Sequence, residues 1–446
     1  MDVTEKSIAV LGLGRSGASV ARLLSSQGAH VSVFDSGESA GLQRHAAELR
    51  REGINVLIGA NARCTQDYSL AVVSPGIDLA SPFANQFSER QIPLSGELEV
   101  AWSYCEKPVI AITGTNGKTT TTELITAMLN HAGQRTVACG NIGLPFSEVV
   151  AGNQDVYDCF TLEVSSFQLE TIETFRPRVA LWLNLTPDHL DRYPSISEYR
   201  AAKLRIFENQ TSADWAICNS ADDLPDLHGK RITFNAYGGD ADFQVQGQSI
   251  TCAGRAIAKL ESFRLQGLHN AENIMAALAT GKALGLTFAD ALPPLQSYQP
   301  SPHRCELAAT VDGVQYINDS KATNVDALAK ALTLGHARVI LIAGGKDKGF
   351  NFSEIRPLVG RKVSTAILIG EMAGRIRADW DGAVPCRMAA TLQEAVELAS
   401  ELAHPGDTVL FSPGTSSFDM FRDYADRGEQ FRLAAKNLSN TTAIPS

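Results

Sequence analysis

A short run of glycine, lysine and threonine, GTNGKTT, has the composition of a phosphate-binding loop. An apolar stretch from Pro108 to Thr113 precedes it, and a helical pattern follows it as far as Gly133. Glycines let backbone N–H groups curl around phosphate oxygens, and the start of a helix adds positive potential. We expect the lysine to reach the β- and γ-phosphates and the next hydroxyl to meet Mg²⁺. The predicted loop residues are Gly114, Thr115, Asn116, Gly117, Lys118, Thr119 and Thr120.

The loop is shorter than the general pattern. That pattern has a glycine five residues before Gly117, and Ile112 stands there in this chain. The alternative interpretation is an ordinary glycine turn before a helix. The chain has no N-K-x-D sequence for guanine recognition, which disfavours a GTPase.

Two further side chains follow candidate strands and are potential metal ligands. Glu163 lies in TLEVSSFQLE, and His189 lies in NLTPDHLDRY after the strand-like VALWLNL. In α/β sheets such strand ends open onto the ligand crevice, and Mg²⁺ prefers oxygen ligands. Each has a plainer interpretation, since Glu163 could cap a helix and His189 could be structural. Lys203, in the helical YRAAKLRIF, resembles a solvated surface lysine on its pattern alone.

A second glycine motif stands near the start of the chain. IAVLGLGRSG is followed by a helical pattern and a strand-like stretch that ends at Asp35. This G-x-G-x-x-G arrangement is typical of dinucleotide-binding folds and raises the possibility of an NAD enzyme. An oxidoreductase of that kind would leave GTNGKTT, Glu163 and His189 without a role.

Three blocks of alternating strand and helix patterns must position these residues. Such alternation predicts parallel sheets with helices on both faces. We predict an α/β protein of three domains. They are a Rossmann-like domain over residues 1–97, a central domain of the P-loop ATPase type with a mostly parallel sheet over 98–300, and a Rossmann-like domain over 301–446.

Two stretches are exceptions to this alternation. TFNAYGGDADFQVQGQSITCAG has the pattern of a β-hairpin in the second block. Pro293, Pro294, Pro300 and Pro302 cluster before His303, and we expect this stretch to resist helix formation and to act as a hinge.

The composition and net charge of the chain disfavour some classes of protein. The chain has 446 residues and a formal net charge of −10, whereas nucleic-acid and membrane-surface binders need a basic face. We therefore expect no nucleic-acid partner and no membrane partner. No secretory segment or long apolar run is found, so we expect a cytoplasmic protein, and we expect a monomer. The eight scattered cysteines are expected to be small buried residues.

Five sequence motifs together resemble the Mur ligases of peptidoglycan synthesis, over essentially the whole chain. They are GTNGKTT, LEVSSFQLE, NLTPDHLDRY, GLHNAEN and NDSKATN. NDSKATN, SPGTSSFDMF and the compact first domain are most similar to the family members that add D-glutamate. The resemblance implies ATP-dependent ligation of D-glutamate to UDP-N-acetylmuramoyl-L-alanine through an acyl phosphate. The short phosphate loop is a form that this family carries.

The resemblance also implies roles for individual residues. It implies that Lys203 is a carbamylated lysine. The oxygens of a carbamate can bind Mg²⁺, whereas an ammonium cannot. Two Mg²⁺ ions are implied, one held by Thr119 and Glu163 and one by His189 and Lys203. The implied catalytic residues are Lys118, His189, Lys203 and Lys321.

The remaining implied contacts fall into three groups. Beyond the loop, ATP is expected to meet Asn273, Arg304 and Asp319. The expected D-glutamate contacts are Thr323, Lys348, Ser417 and Tyr424. The expected contacts to the UDP substrate are Gly14, Arg15, Ser16, Gly17, Asp35, Ser36, Ser74, Pro75, Gly76 and Asn141.

Other functions remain open at the level of sequence. The nearest is a ligase of the same superfamily that adds a different amino acid, or glutamate to folate. The chain lacks the D-N-P-R sequence of the type that adds meso-diaminopimelate. A nucleotide-binding regulator without turnover is the alternative from another class.

Overall fold

A computed structural model describes residues 1–190, 192–299, 302–333, 338–348 and 350–441. The strands are β1 (Ser7–Leu11), β2 (His30–Asp35), β3 (Asn55–Ile58), β4 (Leu70–Val73), β5 (Leu94–Gly96), β6 (Val109–Thr113), β7 (Thr136–Gly140), β8 (Cys159–Glu163), β9 (Val179–Trp182), β10 (Trp215–Asn219), β11 (Lys230–Asn235), β12 (Phe243–Gln246), β13 (Ser249–Cys252), β14 (Arg255–Lys259), β15 (Glu306–Val311), β16 (Val314–Asn318), β17 (Val339–Gly344), β18 (Val363–Ile369), β19 (Cys386–Met388) and β20 (Thr408–Phe411).

The α-helices are α1 (Arg15–Ser26), α2 (Ala40–Arg51), α3 (Pro82–Ser88), α4 (Glu97–Trp102), α5 (Lys118–His131), α6 (Phe146–Ala151), α7 (Ser166–Leu169), α8 (Ile196–Leu204), α9 (Leu268–Ala283), α10 (Phe288–Ser297), α11 (Val325–Leu332), α12 (Arg356–Lys362), α13 (Ala373–Asp379), α14 (Leu392–Leu402) and α15 (Tyr424–Thr441). Among the described residues, none of these helices combines the length and the apolar character that crossing a bilayer requires.

The first sheet is parallel and has the strand order β3-β2-β1-β4-β5. Its central strand β1 is buried over almost its whole length, as expected for a strand covered by helices on both faces. The strand order reverses between β1 and β4, which places a ligand crevice at the carboxyl ends of these two strands. The strand β5 forms one edge of this sheet. It has only three residues, and the sequence pattern did not predict it as a strand.

The second sheet has the order β14-β13-β12-β11-β10-β9-β6-β8-β7. Its strands run parallel from β7 to β12, and β12, β13 and β14 are antiparallel. The predicted hairpin is therefore confirmed as β12 and β13. The predicted phosphate loop follows β6, which lies between β8 and β9 in the interior of the sheet.

The third sheet has the order β15-β16-β20-β17-β18-β19 and is parallel except for the β15–β16 pair. Apolar clusters cover both of its faces. The predicted mixed α/β fold with mostly parallel sheets is confirmed by these three sheets.

The described residues group into two compact units. The first comprises 1–185, 197–264 and 270–298, and so contains the first two sheets; the second comprises 186–196, 265–269 and 299–446 and contains the third. The predicted three-domain boundaries after residues 97 and 300 remain predictions. Residues 300 and 301, at the second of them, lie outside the described residues.

The expectation that the proline cluster resists helix formation is wrong for its first half. Pro293 and Pro294 lie inside α10, whose start is capped by the Thr287 hydroxyl. The two prolines remove backbone donors to the preceding turn. The helix persists because Ala291 and Leu295 are buried and because α10 packs against α5. Tertiary packing thus outweighs the local cost, as it often does for intrinsic propensity.

Candidate functional site

The predicted phosphate loop connects a fully buried strand, β6, to the start of α5. Gly114 has φ +154° and Gly117 has φ +86°, which other residues adopt only with strain. A Cβ on Gly114 would lie 2.9 Å from the Leu183 Cβ, and one on Gly117 would collide with the Asn273 side chain. Both glycines are therefore required by backbone conformation and by the closeness of their neighbours.

Asn184 supports the loop, and sequence reasoning missed it. Its side-chain oxygen accepts from the Asn116 N–H at 2.9 Å, and its amide donates to the Asn116 carbonyl at 3.0 Å. Its backbone carbonyl accepts from the Thr115 N–H at 2.9 Å. The available signal was its position directly after the strand-like VALWL. Asn184, two residues after the end of strand β9, fixes two residues of the loop.

Two lysine ammonium groups converge on the same backbone carbonyl. The Nζ atoms of Lys118 and Lys203 each donate to the Gly114 oxygen at 2.9 Å, and Lys118 also donates to the Thr115 oxygen at 2.9 Å. Lys203 is only 1% exposed, and its Nζ lies 4.6 Å from the centre of the Tyr199 ring. Lys203, whose pattern alone resembles that of a solvated surface lysine, is therefore buried beside the predicted phosphate loop.

Glu163 occupies the end of β8, next to the phosphate loop. Its Oε2 accepts from the Thr119 hydroxyl at 2.8 Å, and its Oε1 accepts from the Asn141 amide at 2.7 Å. The Asn141 N–H also donates to the Glu163 carbonyl at 2.9 Å. The residue is 2% exposed. A buried carboxylate beside a hydroxyl at the start of a phosphate-loop helix matches the ligand preference of Mg²⁺.

No group of three or more His, Cys, Asp or Glu side chains is arranged to hold a metal ion within the described ranges. An Mg²⁺ site here would fit the hard oxygens of Thr119 and Glu163, with further ligands from phosphate and water, as is usual for this ion.

Asn273 lies on α9 against the phosphate-loop helix. Its Oδ1 accepts from the Thr121 hydroxyl at 3.2 Å, and it is 6% exposed. Thr120 is buried in the first turn of α5. The structure thus brings Asn273 and the predicted loop residues together in the first unit.

A cavity of about 370 Å³ opens beside the glycine motif of the first sheet. Predicted residues that line it are Gly14, Arg15, Ser16, Asp35, Ser74, Pro75, Gly76 and Asn141. The other lining residues were not among the predicted substrate contacts, and they are Gly12, Ile77, Gly140, Gly143, Pro145 and Gln168. The cavity therefore combines the first sheet with the loop that follows β7 of the second.

Local contacts explain the shape of this cavity. The Asp35 carboxylate accepts from the Leu13 N–H and the Gly37 N–H, both at 2.8 Å. Gly17 packs so closely on the Gly12 carbonyl that a Cβ would collide with it. Gly17 and Ser36, although predicted as contacts, are not among the described residues that line the cavity.

Asp319 and Arg304 lie in the second unit. Asp319 is buried at the end of β16, where its carboxylate accepts from the Ser412 hydroxyl at 2.7 Å and from the Cys305 N–H at 3.2 Å. Burial raises the pKa of Asp319 to about 6. The buried Nε of Arg304 has no hydrogen-bond partner among the described residues. The Asp319 carboxylate therefore has two hydrogen-bond donors within the protein, in addition to any that a ligand would supply.

The predicted amino-acid contacts follow strands of the third sheet. Lys321 and Thr323 come after β16, and the Lys321 Nζ lies 5.1 Å from the centre of the Tyr424 ring. Ser417, which follows β20, is buried. Because β16 and β20 are parallel neighbours, their carboxyl ends bring these residues to one edge of the sheet.

An ion pair holds Lys348 in this unit. Its Nζ donates to the Asp188 Oδ1 at 3.0 Å, and Asn324 donates to the Asp188 Oδ2 at 3.2 Å. Burial opposes ionisation of Asp188, but Lys348 and His189 outweigh it and lower the pKa of that carboxyl. His189 has φ +56°, and its Nε2 lies 3.8 Å from the same carboxylate. His189 thus belongs to the second unit, whereas Thr119, Glu163 and Lys203 belong to the first.

Comparison with known proteins gives three matches to family models along the chain. Residues 6–96 match the MurD-like N-terminal domain of Mur ligases, 112–281 match the Mur ligase middle domain, and 303–415 match the Mur ligase glutamate ligase domain.

Curated relatives match over almost the full length. The UDP-N-acetylmuramoylalanine–D-glutamate ligase of Geobacter metallireducens is 41% identical, over 98% of this chain and 99% of the relative. The protein of the same name from Koribacter versatilis is also 41% identical, over 98% of this chain and 99% of the relative.

Solved structures share the fold at low sequence identity. UDP-N-acetylmuramate-alanine ligase from Thermotoga maritima has a TM-score of 0.65 and 19% identity, over 97% of this chain and 100% of that one. A MurF ligase from the same organism, in complex with ADP, has a TM-score of 0.62 and 15% identity, over 93% and 96% of the two chains.

Proposed function

The chain belongs to the Mur ligase family, and we propose that it joins D-glutamate to UDP-N-acetylmuramoyl-L-alanine with ATP as the phosphoryl donor. It is an ATP-dependent ligase of peptidoglycan precursor synthesis. The relatives at 41% identity over nearly the full chain carry this activity in their names.

The position of Asn141 is the observation that carries the proposal. Its side chain binds Glu163 beside the phosphate loop at 2.7 Å, and the same residue lines the cavity of the first sheet. A substrate whose nucleotide end lies in that cavity can therefore extend past Asn141 toward the phosphate loop. An NAD enzyme would have no use for this connection.

The reaction has two steps. The terminal carboxylate of the acceptor attacks the γ-phosphorus of ATP, and ADP leaves with the electrons of the broken P–O bond. The amine of D-glutamate then attacks the acyl carbon, loses a proton and releases phosphate as the amide forms. Charge spreads over the transferring phosphoryl group, so positioning and electrostatics dominate the catalysis.

The phosphate loop supplies most of the positive groups. Backbone N–H groups at the start of α5 would bind phosphate oxygens. The Lys118 ammonium, which donates to the Gly114 and Thr115 carbonyls, would exchange these partners for phosphate oxygens. We assign Asn273, Arg304 and Asp319 to the remaining contacts with ATP.

Mg²⁺ would be held by Thr119 and Glu163, whose oxygens adjoin the loop. When bound, Mg²⁺ supplies positive charge that stabilises the phosphoryl oxygens. We assign a second ion to His189 and to Lys203 as a carbamate. The complete burial of Lys203 beside Gly114 supports a role other than that of a surface lysine.

D-Glutamate carries two carboxylates, which need cations and hydroxyl groups. We assign Lys321, Thr323, Lys348, Ser417 and Tyr424 to this substrate, with Lys321 facing the reacting centre. We assign the cavity of the first sheet to the UDP portion, with its diphosphate near the start of α1, where helix N–H groups favour an anion. We further propose a cytoplasmic monomer without nucleic-acid or membrane partners.

The decisive experiment measures phosphate release with ATP, Mg²⁺ and the UDP-muramoyl-alanine acceptor. D-Glutamate, L-glutamate, L-lysine and meso-diaminopimelate are compared, and reactions without amino acid or acceptor measure background hydrolysis. We expect release above background with D-glutamate only. Activity with another amino acid alone would replace this substrate assignment, and absence of turnover with every amino acid would favour a regulator.

A further inference from the structure

A fully buried arginine, Arg427, lies behind the predicted amino-acid pocket. It is on the first turn of α15 and has 0% exposure, which is rare for a guanidinium. Burial lowers the pKa of Arg427 to about 9, so the side chain stays positively charged at neutral pH. Neither the sequence motifs nor the function proposed above gives this charge a role.

The guanidinium joins two loops of the third sheet. Its Nη2 donates to the Ser320 carbonyl at 2.7 Å and its Nε to the Ser320 hydroxyl at 3.0 Å, after β16. Its Nη1 donates to the Thr415 carbonyl at 3.1 Å, after β20. The Ser320 hydroxyl in turn donates to the Tyr424 carbonyl at 2.7 Å. The guanidinium thus fixes Ser320, which directly precedes Lys321, and Thr415, which lies two residues before Ser417.

A third loop, which follows β17, lies against the same guanidinium. A Cβ on Gly345, directly after β17, would lie 3.2 Å from the Arg427 Nη1. The Lys346 N–H donates to the Ser416 carbonyl at 2.9 Å, which ties this loop to the one after β20. Arg427 therefore contacts the loops after β16, β20 and β17, which are adjacent strands of the sheet.

The charge of Arg427 is poorly compensated. The partners of its hydrogen bonds are neutral oxygens, and Asp419 and Asp319 act on it through space without a hydrogen bond. A buried cation whose hydrogen-bond partners are neutral lowers the stability of the protein unless an anion compensates its charge. An amino acid with two carboxylates, bound at the adjoining loops, would supply such an anion.

We propose that Arg427 is a positioning residue for the amino-acid substrate. Its fork holds the loops after β16 and β20 in the geometry that the substrate carboxylates need, and its charge attracts them. This inference rests on the proposed function, because it requires an anionic amino acid at the third sheet.

The test compares the variants Arg427→Lys and Arg427→Met with the wild type, using the KM for D-glutamate and the KM for the UDP acceptor. Loss of a charged hydrogen-bonded partner should raise the KM for D-glutamate by roughly 10- to 100-fold in Arg427→Met, and by about tenfold in Arg427→Lys, which keeps the charge but not the fork. The KM for the acceptor, which is assigned to the first unit, should change by less than about twofold.

Phe431→Leu is the matched control. Phe431 is buried on the same helix and stacks on Phe411 at 4.8 Å, so its loss weakens packing without touching the two loops. It should lower the melting temperature and leave the KM for D-glutamate unchanged. If Arg427→Met does not fold, Arg427→Lys decides the question.

Two results would overturn the inference. One is a KM for D-glutamate within about twofold of the wild-type value in the folded Arg427 variants. The other is an equal rise of both KM values, reproduced by Phe431→Leu, which would show a purely structural role. The wild-type amino-acid panel is measured first, and its failure would count against the proposed function and not against Arg427 alone.

Discussion

At the scale of single residues, Glu163 and Asn141 connect two sites that the sequence places far apart. The carboxylate of Glu163 binds the phosphate-loop hydroxyl of Thr119 with one oxygen and Asn141 with the other. Each side chain thereby fixes the rotamer of the next, which is how a site is held within the narrow tolerance that catalysis requires.

Lys203 offers a residue-scale prediction for the proposed carbamate. Lys203→Ala removes the anionic oxygens assigned to the second Mg²⁺, so phosphate release should fall by about 100-fold or more. Added short carboxylates should restore part of the activity by occupying the vacated space. Lys118→Ala is the control, because carboxylates cannot replace a lost cation. Full activity of Lys203→Ala without additive would disprove the assignment.

Asp319 offers a prediction about pH and stability. Its folded pKa of about 6 exceeds the ordinary value of 3.8, so the folded protein holds a proton that the unfolded chain releases between these values. The contribution of Asp319 to stability is therefore present below about pH 4 and is lost as the pH rises to about 6.

The variant Asp319→Asn should not show this loss of stability with rising pH, because an amide does not ionise. Its stability relative to the wild type should increase from pH 4 to pH 7, by up to roughly 3 kcal/mol. Thermal unfolding of both proteins across this range measures the difference, with the exposed Asp381→Asn as control. A difference that does not vary with pH would show that Asp319 ionises normally.

At the scale of elements, α10 shows packing that overrides local preference. Pro294→Ala restores a backbone donor toward the preceding turn of this helix. It should stabilise the protein by about 1–2 kcal/mol, since the helix propensity gained exceeds the added entropy of the unfolded chain. Pro302→Ala, at an exposed position outside any helix, is the control and should be neutral or slightly destabilising. A lower melting temperature for Pro294→Ala would show that α10 needs the proline.

At the scale of the whole molecule, the first unit holds two distinct predicted sites on two sheets. The UDP acceptor and a non-hydrolysable ATP analogue should each raise the melting temperature, by an amount equivalent to about 2.7 kcal/mol at 100 times the dissociation constant. Lys118→Ala should abolish the shift caused by the ATP analogue and retain the shift caused by the acceptor. Loss of both shifts, measured by differential scanning calorimetry, would contradict separate sites.

The sequence by itself determined the position of the predicted phosphate loop between β6 and α5, the glycine turn of the first sheet and the mostly parallel character of the sheets. These features are local, because strand periodicity, glycine spacing and a following helix are visible within about 30 residues. It did not reveal Asn184, the cavity contribution of Gln168 or the helix that contains Pro293 and Pro294.

Only the tertiary structure decided which side chains are buried together. Lys203 and Arg427 have the sequence pattern of surface residues, yet both are enclosed, because residues distant in the chain supply their hydrogen-bond acceptors. Whether a charged side chain is solvated or buried depends on partners that long-range packing brings to it, and a local pattern does not contain them.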